Sequence, residues 1–241
     1  MSRAVVVVWL GLVVLAMTTP FEAHARSRPP QRTLLRRLSV RSQVPMATNT
    51  VWPRQEVMDL AVRAYRCGRD AGAFDGSLLT VIDYSLPSTE KRLWVLDLAR
   101  HSVLFHELVA HGEGSGENWA VEFSNEPGSR QSSIGVFRTE DVYRGGNGYS
   151  LRLAGLEPGV NDLAMERRIV MHGAPYVSAR AVNALGRLGR SWGCPALSSG
   201  ISGRVIDRIK GGSAVFAYYP DQRWLRTSRY LKCSVVNVAS R

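Results

Sequence analysis

His172 and Cys194 stand 22 residues apart, and an imidazole beside a thiol is the minimum equipment for nucleophilic acyl transfer. A free thiol is only a few per cent ionised at neutral pH, so a neighbouring base is what makes it a working nucleophile. His172 ends an apolar run that begins at Arg168, and Cys194 follows Trp192 and Gly193. Because Gly193 has no side chain, the backbone there can approach a substrate closely and offer N–H groups to a developing oxyanion. Spacing alone does not join the two residues; the elements around them must.

Those elements read as mainly β. Short β-prone runs at 78–84, 92–98, 103–110, 133–139, 149–154, 168–172 and 213–219 are separated by turn residues. The runs from Leu93 and from Val103 are divided by Ala99-Arg-His-Ser102, a length suited to an antiparallel hairpin. Val57, Leu60, Ala61, Ala64 and Tyr65 recur at helical spacing, with Gly68 and Gly72 as stop signals, which predicts a helix over 56–71. Shorter helical stretches at 178–188 and 202–210 flank the Cys194 segment. No internal repeat and no second domain is visible, so the expectation is one mostly antiparallel domain with peripheral helices.

The text around the pair carries more. His172-Gly-Ala174 followed by Gly189-Arg-Ser-Trp-Gly-Cys-Pro-Ala196 resembles the motif of the murein L,D-transpeptidase catalytic domain family, in its branch with Ser-Trp-Gly-Cys-Pro. Ala110-His-Gly-Glu-Gly-Ser-Gly116, Phe123-Ser-Asn-Glu-Pro-Gly-Ser129, Ser150-Leu-Arg-Leu-Ala-Gly-Leu-Glu157 and Arg168-Ile-Val-Met-His-Gly173 also look like that branch, in the right order. The resemblance is strongest over 78–219. It implies a β-sandwich or barrel-like fold and a thioester acyl-enzyme formed from a peptidoglycan stem peptide. Cys194 would be the nucleophile and His172 its acid and base, with the Gly173 carbonyl fixing the ring tautomer. Gly193 and Cys194 N–H groups would line an oxyanion hole, and Ser191 would hold the loop or help orient His172. With water as acceptor the same thioester gives L,D-carboxypeptidase activity. Carbapenems are the inhibitors such an enzyme implies, and no cofactor is required.

The sequence departs from the commoner form of the family, where a His precedes the Gly-Cys pair and an Arg or Asn stands two places after the Cys. Trp192 and Ala196 occupy those positions. Trp192 suits the wall of a donor site. Arg190 and Arg187, with Arg180 behind them, become the candidates for a substrate carboxylate, against the reading that they are a solvated basic face. His111 opens a glycine-rich turn that either borders the cleft or needs its glycines only for positive φ. His101, His106 and His111 are five apart, which does not match a helical metal pair, and no zinc motif is present. The turn also lacks the Gly-Lys-Ser/Thr of a phosphate loop.

Composition sets the compartment. Residues 1–25 combine a positive start, an apolar stretch from Ala4 to Met17 and Ala23-His-Ala25, the pattern of a secretory signal peptide. The apolar stretch is shorter than the ~20 residues of a membrane span. Residues 26–52 are rich in Arg, Ser, Pro and Gln and read as a flexible linker, leaving 53–241 as the catalytic domain. Export, most simply to a periplasm, makes nucleic acid a poor partner for the net charge of +11. A carboxylate-rich wall suits it. In an oxidising compartment three cysteines cannot all pair; the economical assignment is a Cys67–Cys233 bridge with Cys194 free, the alternative being three buried thiols. A second functional reading is a wall-binding module that has kept the cleft and lost catalysis.

Overall fold

The computed structural model describes residues 51–233. The signal segment 1–25, residues 26–50 of the linker and the last eight residues lie outside the described residues. In chain order the elements are α1 (Gln55–Asp70), β1 (Leu78–Asp83), β2 (Leu93–Asp97), β3 (Ser102–Glu107), β4 (Val109–Ala110), a 3₁₀ turn (Glu113–Ser115), β5 (Gly135–Gly145), β6 (Gly148–Gly155), β7 (Val170–Ala174), α2 (Ala179–Leu185), β8 (Ala196–Ser198), α3 (Ser202–Ile209), β9 (Ala214–Tyr218), α4 (Gln222–Thr227) and α5 (Arg229–Lys232).

The nine strands of the described residues form one sheet in the order β3-β2-β1-β9-β5-β6-β7-β8-β4. Its two edge strands, β3 and β4, are consecutive in the chain and separated only by Leu108. The chain therefore steps directly from one edge to the other, and the sheet is nearly closed. This is why the run 103–110, one strand by its apolar pattern, is two strands. Pairing is antiparallel except for β1–β9 and β7–β8. The mainly β, barrel-like expectation holds.

One core fills the curled sheet: Leu93, Val95, Phe137, Leu151, Leu153, Met171 and Leu197 meet Val205, Ile206 and Ile209 of α3. A second lies on the other face of β1, β2 and β9, where α1 buries Val57, Ala61 and Ala64 against Leu79, Val81, Phe216 and Trp224. These strands are apolar on both faces because both faces are covered. Cys67, near the end of α1, and Cys233, just past α5, form a disulfide at the rim of this second core, and Cys194 is free and buried.

Candidate active site

The parallel pairing of β7 with β8 builds the site. His172 is in register with Ala196, and Gly173 with Leu197. Alternation along each strand then sorts the residues by face. Met171 and Leu197 point into the barrel core, whereas Ala174 and Ala196 belong to a small cluster on the opposite face. His172 shares that opposite face, and Cys194, two residues before Ala196, is set on the same side. Cys194 itself sits in the loop two residues before β8, so the β7–β8 pairing brings that loop alongside the strand that carries His172.

His172 is buried, and its Nδ1 is 3.0 Å from the carbonyl oxygen of Gly173. A carbonyl only accepts, so Nδ1 carries the proton and the lone pair of the neutral ring is on Nε2. Burial lowers the pKa of His172 against the raising effect of that hydrogen bond, which keeps the ring neutral and basic at physiological pH. The thiol of Cys194 is enclosed to 8 % exposure. Its Sγ accepts from the Val170 N–H at 3.5 Å and faces the Arg168 carbonyl at 3.8 Å. Burial pushes the Cys194 pKa up, with Val170 and the Arg167 guanidinium pulling the other way. Both shifts favour the uncharged forms, a neutral thiol and a neutral imidazole.

The loop before the sulfur is tied from within and from behind. Ser191 Oγ donates to the Cys194 carbonyl at 2.6 Å and accepts the Gly193 N–H at 3.1 Å, so Ser191 holds the loop. Ser132 Oγ donates to the Gly193 carbonyl and accepts the Gly112 N–H, both at 3.0 Å. The Ser191 N–H reaches the His111 carbonyl at 3.0 Å, and the Glu113 N–H reaches the Ser191 carbonyl at 2.8 Å. Gly193 itself sits at φ +115, where a Cβ would come within 2.7 Å of the Gln131 carbonyl oxygen and 3.1 Å of Ile169 Cδ1. Gly193→Ala should therefore displace the loop at a cost of about 1 to 3 kcal/mol, seen as a lower melting temperature together with faster iodoacetamide labelling of Cys194. Unchanged melting and labelling would show that the loop does not depend on this backbone shape.

The substrate-side candidates are distributed differently. Trp192 is 71 % exposed beside the loop, with the Arg130 guanidinium 4.8 Å from its ring centroid. Arg187 and Arg190 both pair with Glu117, at 2.6 and 2.9 Å. Glu117 has a lowered pKa, the two arginines outweighing the desolvation that would raise it. Neither arginine presents a free fork to a ligand. Arg180 is exposed on α2. His111 is 1 % exposed: its Nδ1 accepts from Arg92 at 2.7 Å and its Nε2–H faces the Gly116 carbonyl at 3.3 Å. Burial and Arg92 push its pKa down to about 4. It supports the loop through its own carbonyl and does not border an open cleft.

Two supporting residues were not legible in the sequence. Ser132 is a buried relay between Gly112 and Gly193, and nothing in Gln131-Ser-Ser133 marks it. Arg167 donates to the carbonyls of Ser124 and Gln131 and to the hydroxyls of Ser133 and Ser129, at 2.5 to 3.2 Å. It thereby clamps the 124–133 segment beneath the Cys194 loop, and its cation faces the sulfur. Its only sequence signal is its place immediately before the Arg168–Gly173 motif.

Residues 51–218 match the sequence profile of the L,D-transpeptidase catalytic domain. No curated protein matches the chain. Among solved structures, the chain is similar to LD transpeptidase LdtMt1 in complex with imipenem (18 % identity, 59 % of each chain covered, TM-score 0.36). It is also similar to an L,D-transpeptidase from Mycobacterium smegmatis (15 %, 59 % of each chain, 0.37). A third is the helical cell shape determining protein Pgp2 from Campylobacter jejuni (13 %, 64 % of this chain and 55 % of that one, 0.37). The chain spans less than two thirds of the length of each.

Proposed function

The chain belongs to the L,D-transpeptidase catalytic domain family, and from that membership we propose that it is an exported cysteine acyltransferase of peptidoglycan stem peptides. The observation that supports the reading is the β7–β8 pairing, which aligns the strand of the Gly173-oriented His172 with the strand entered directly from Cys194, the only unpaired cysteine of the described residues.

The proposed cycle starts with rotation of the Cys194 side chain away from Val170 and Arg168. Nε2 of His172 takes the thiol proton as sulfur attacks the carbonyl before the terminal D-alanine of a tetrapeptide stem. Negative charge builds on the carbonyl oxygen. The Cys194 N–H, which meets no acceptor among the described residues, is the first donor to that oxyanion; the Gly193 N–H joins it on leaving Ser191 Oγ. The C–N bond then breaks, the imidazolium protonates the departing D-alanine nitrogen, and a thioester remains. An amine of a neighbouring stem, deprotonated by His172, attacks the thioester and yields the cross-link with the thiol restored. Water in place of that amine yields the shortened stem. Trp192, exposed beside the loop, walls the donor site.

Incubating the purified protein with a tetrapeptide stem, and separately with a carbapenem, tests the reading by intact mass. The expected result is a covalent increment on the wild type, D-alanine release from the stem, and neither on Cys194→Ala. An increment that survives Cys194→Ala removes the proposal. Stem binding with no increment on the wild type makes the protein a wall-binding module instead.

A further inference from the structure

We propose that the cavity beside Val170 is a carboxylate subsite, in which Arg152 and Arg168 hold a carboxylate of the donor stem about one residue from the scissile carbonyl. This rests on the acyl-transfer reading above. The cavity has a volume of about 460 Å³ and is lined by Tyr143, Arg152, Met165, Arg168, Ile169 and Val170. It shares a wall with the nucleophile: the same Arg168–Val170 tripeptide supplies the N–H and the carbonyl that touch Cys194 Sγ.

The sheet register aligns the two. Arg152 of β6 is opposite Val170 of β7, Ser150 is opposite His172, and Tyr143 of β5 is opposite Ser150. Opposed residues share a face, so Tyr143, Arg152, Val170 and His172 line one surface, the one that also carries Cys194. Arg152 and Cys194 flank Val170 from its two sides. With strands about 4.8 Å apart, their backbones are separated by roughly 10 Å. An arginine side chain reaching inward and one peptide residue of about 3.5 Å bridge that gap.

Both guanidinium groups are disposed to receive an anion. Arg152 lies 4.3 Å over the ring of Tyr143, a stacking that orients the planar fork and leaves its N–H edge free. Arg168 is one of three non-glycine residues at positive φ among the described residues, at +56. That left-handed turn is costly for a side chain with a Cβ. Here it presents the Arg168 carbonyl to the sulfur while the side chain lines the cavity. Arg130, Arg187 and Arg190 are each paired with a carboxylate; among the described residues Arg152 and Arg168 are not. Two like charges on one cavity repel, and a bound carboxylate, read bidentately by Arg, relieves this.

The test compares wild type, Arg152→Ala, Arg168→Ala and Arg152→Lys on three stems: one with all carboxylates free, one amidated at the terminal D-alanine, and one amidated at a third-residue carboxylate. The half-saturating concentration for thioester formation is read by intact mass. Each alanine variant should raise it about tenfold or more for the free stem. For the stem lacking the decisive carboxylate the change should be under about twofold, which also says which carboxylate is bound. Arg152→Lys should recover part of the loss, and iodoacetamide labelling of Cys194 should be unaffected. Equal losses on all three stems, or none, overturn the subsite. If the wild type forms no thioester, equilibrium titration with the same stems separates the claims. Amidation-sensitive binding that Arg152→Ala abolishes keeps the subsite and ends the acyl-transfer reading; binding indifferent to amidation ends the subsite.

Discussion

Replacing His172 by Ala should slow carbapenem acylation of Cys194 by about 10² to 10⁴ near neutral pH, with the protein still folded. The size follows from the resting charge state. Burial raises the thiol above its usual 9.0 and lowers the imidazole below its usual 6.5, so the pair is neutral at pH 7 and the thiolate fraction is small. A base must take the proton as sulfur attacks. In the wild type the rate should climb as His172 loses its proton, through a midpoint below pH 6.5, and then level off, because the neutral ring is the competent form. In the variant no base remains. Its rate should rise tenfold per pH unit until the thiol itself ionises, above pH 9. The two profiles should therefore converge in alkali. A variant as fast as the wild type at pH 7, or a wild-type thiol that iodoacetamide titrates below pH 7, would mean that the sulfur rests as a thiolate and His172 is not its base.

Much of this pair was legible because its signals are local. The apolar run ending in His172 and the Ser191–Pro195 segment are each short and contiguous. Their juxtaposition was not, since β8 is only three residues long and pairs in parallel across a helix, leaving no periodicity to read. The run 133–139 extends as β5 to Gly145, beyond a bulge between Thr139 and Val142 where Glu140 and Asp141 break the apolar pattern. The end of the domain hid two helices. Asp221 caps α4 by accepting the Trp224 N–H at 2.6 Å, and Trp224, Tyr230 and Leu231 cover the second core. That cap was visible, but six- and four-residue helices have too few turns to show a face. Arg187 and Arg190 mark a different limit. Guanidinium groups near a nucleophile attract a substrate reading, and only the fold shows Glu117, some 70 residues earlier, already between them.

Removing the disulfide, by Cys67→Ser with Cys233→Ser, should cost about 5 kcal/mol of unfolding free energy in the chain-entropy treatment. The bridge closes a loop with a sequence separation of 166, almost the whole described chain, so the unfolded state gains nearly all its freedom when the bridge is lost. The native state has little with which to compensate. A four-residue α5 cannot persist as an isolated helix; it is held by Tyr230 and Leu231 in the α1 core and by the bridge. The site should be spared while the protein stays folded, because α1 covers β1 and β9 and α5 packs on α1, whereas His172 is on β7, with β5 and β6 intervening in the sheet. The expected signature in urea is a lower midpoint for the double variant, together with carbapenem acylation at the wild-type rate well below the melting temperature. A loss under about 1 kcal/mol would show that the unfolded chain is compact enough for the bridge to restrict little. Slowed acylation in the folded variant would instead tie the second core to the geometry of the Cys194 loop. Because the bridge forms only where thiols oxidise, the same experiment in reducing buffer shows how much of the fold's stability depends on an oxidising compartment.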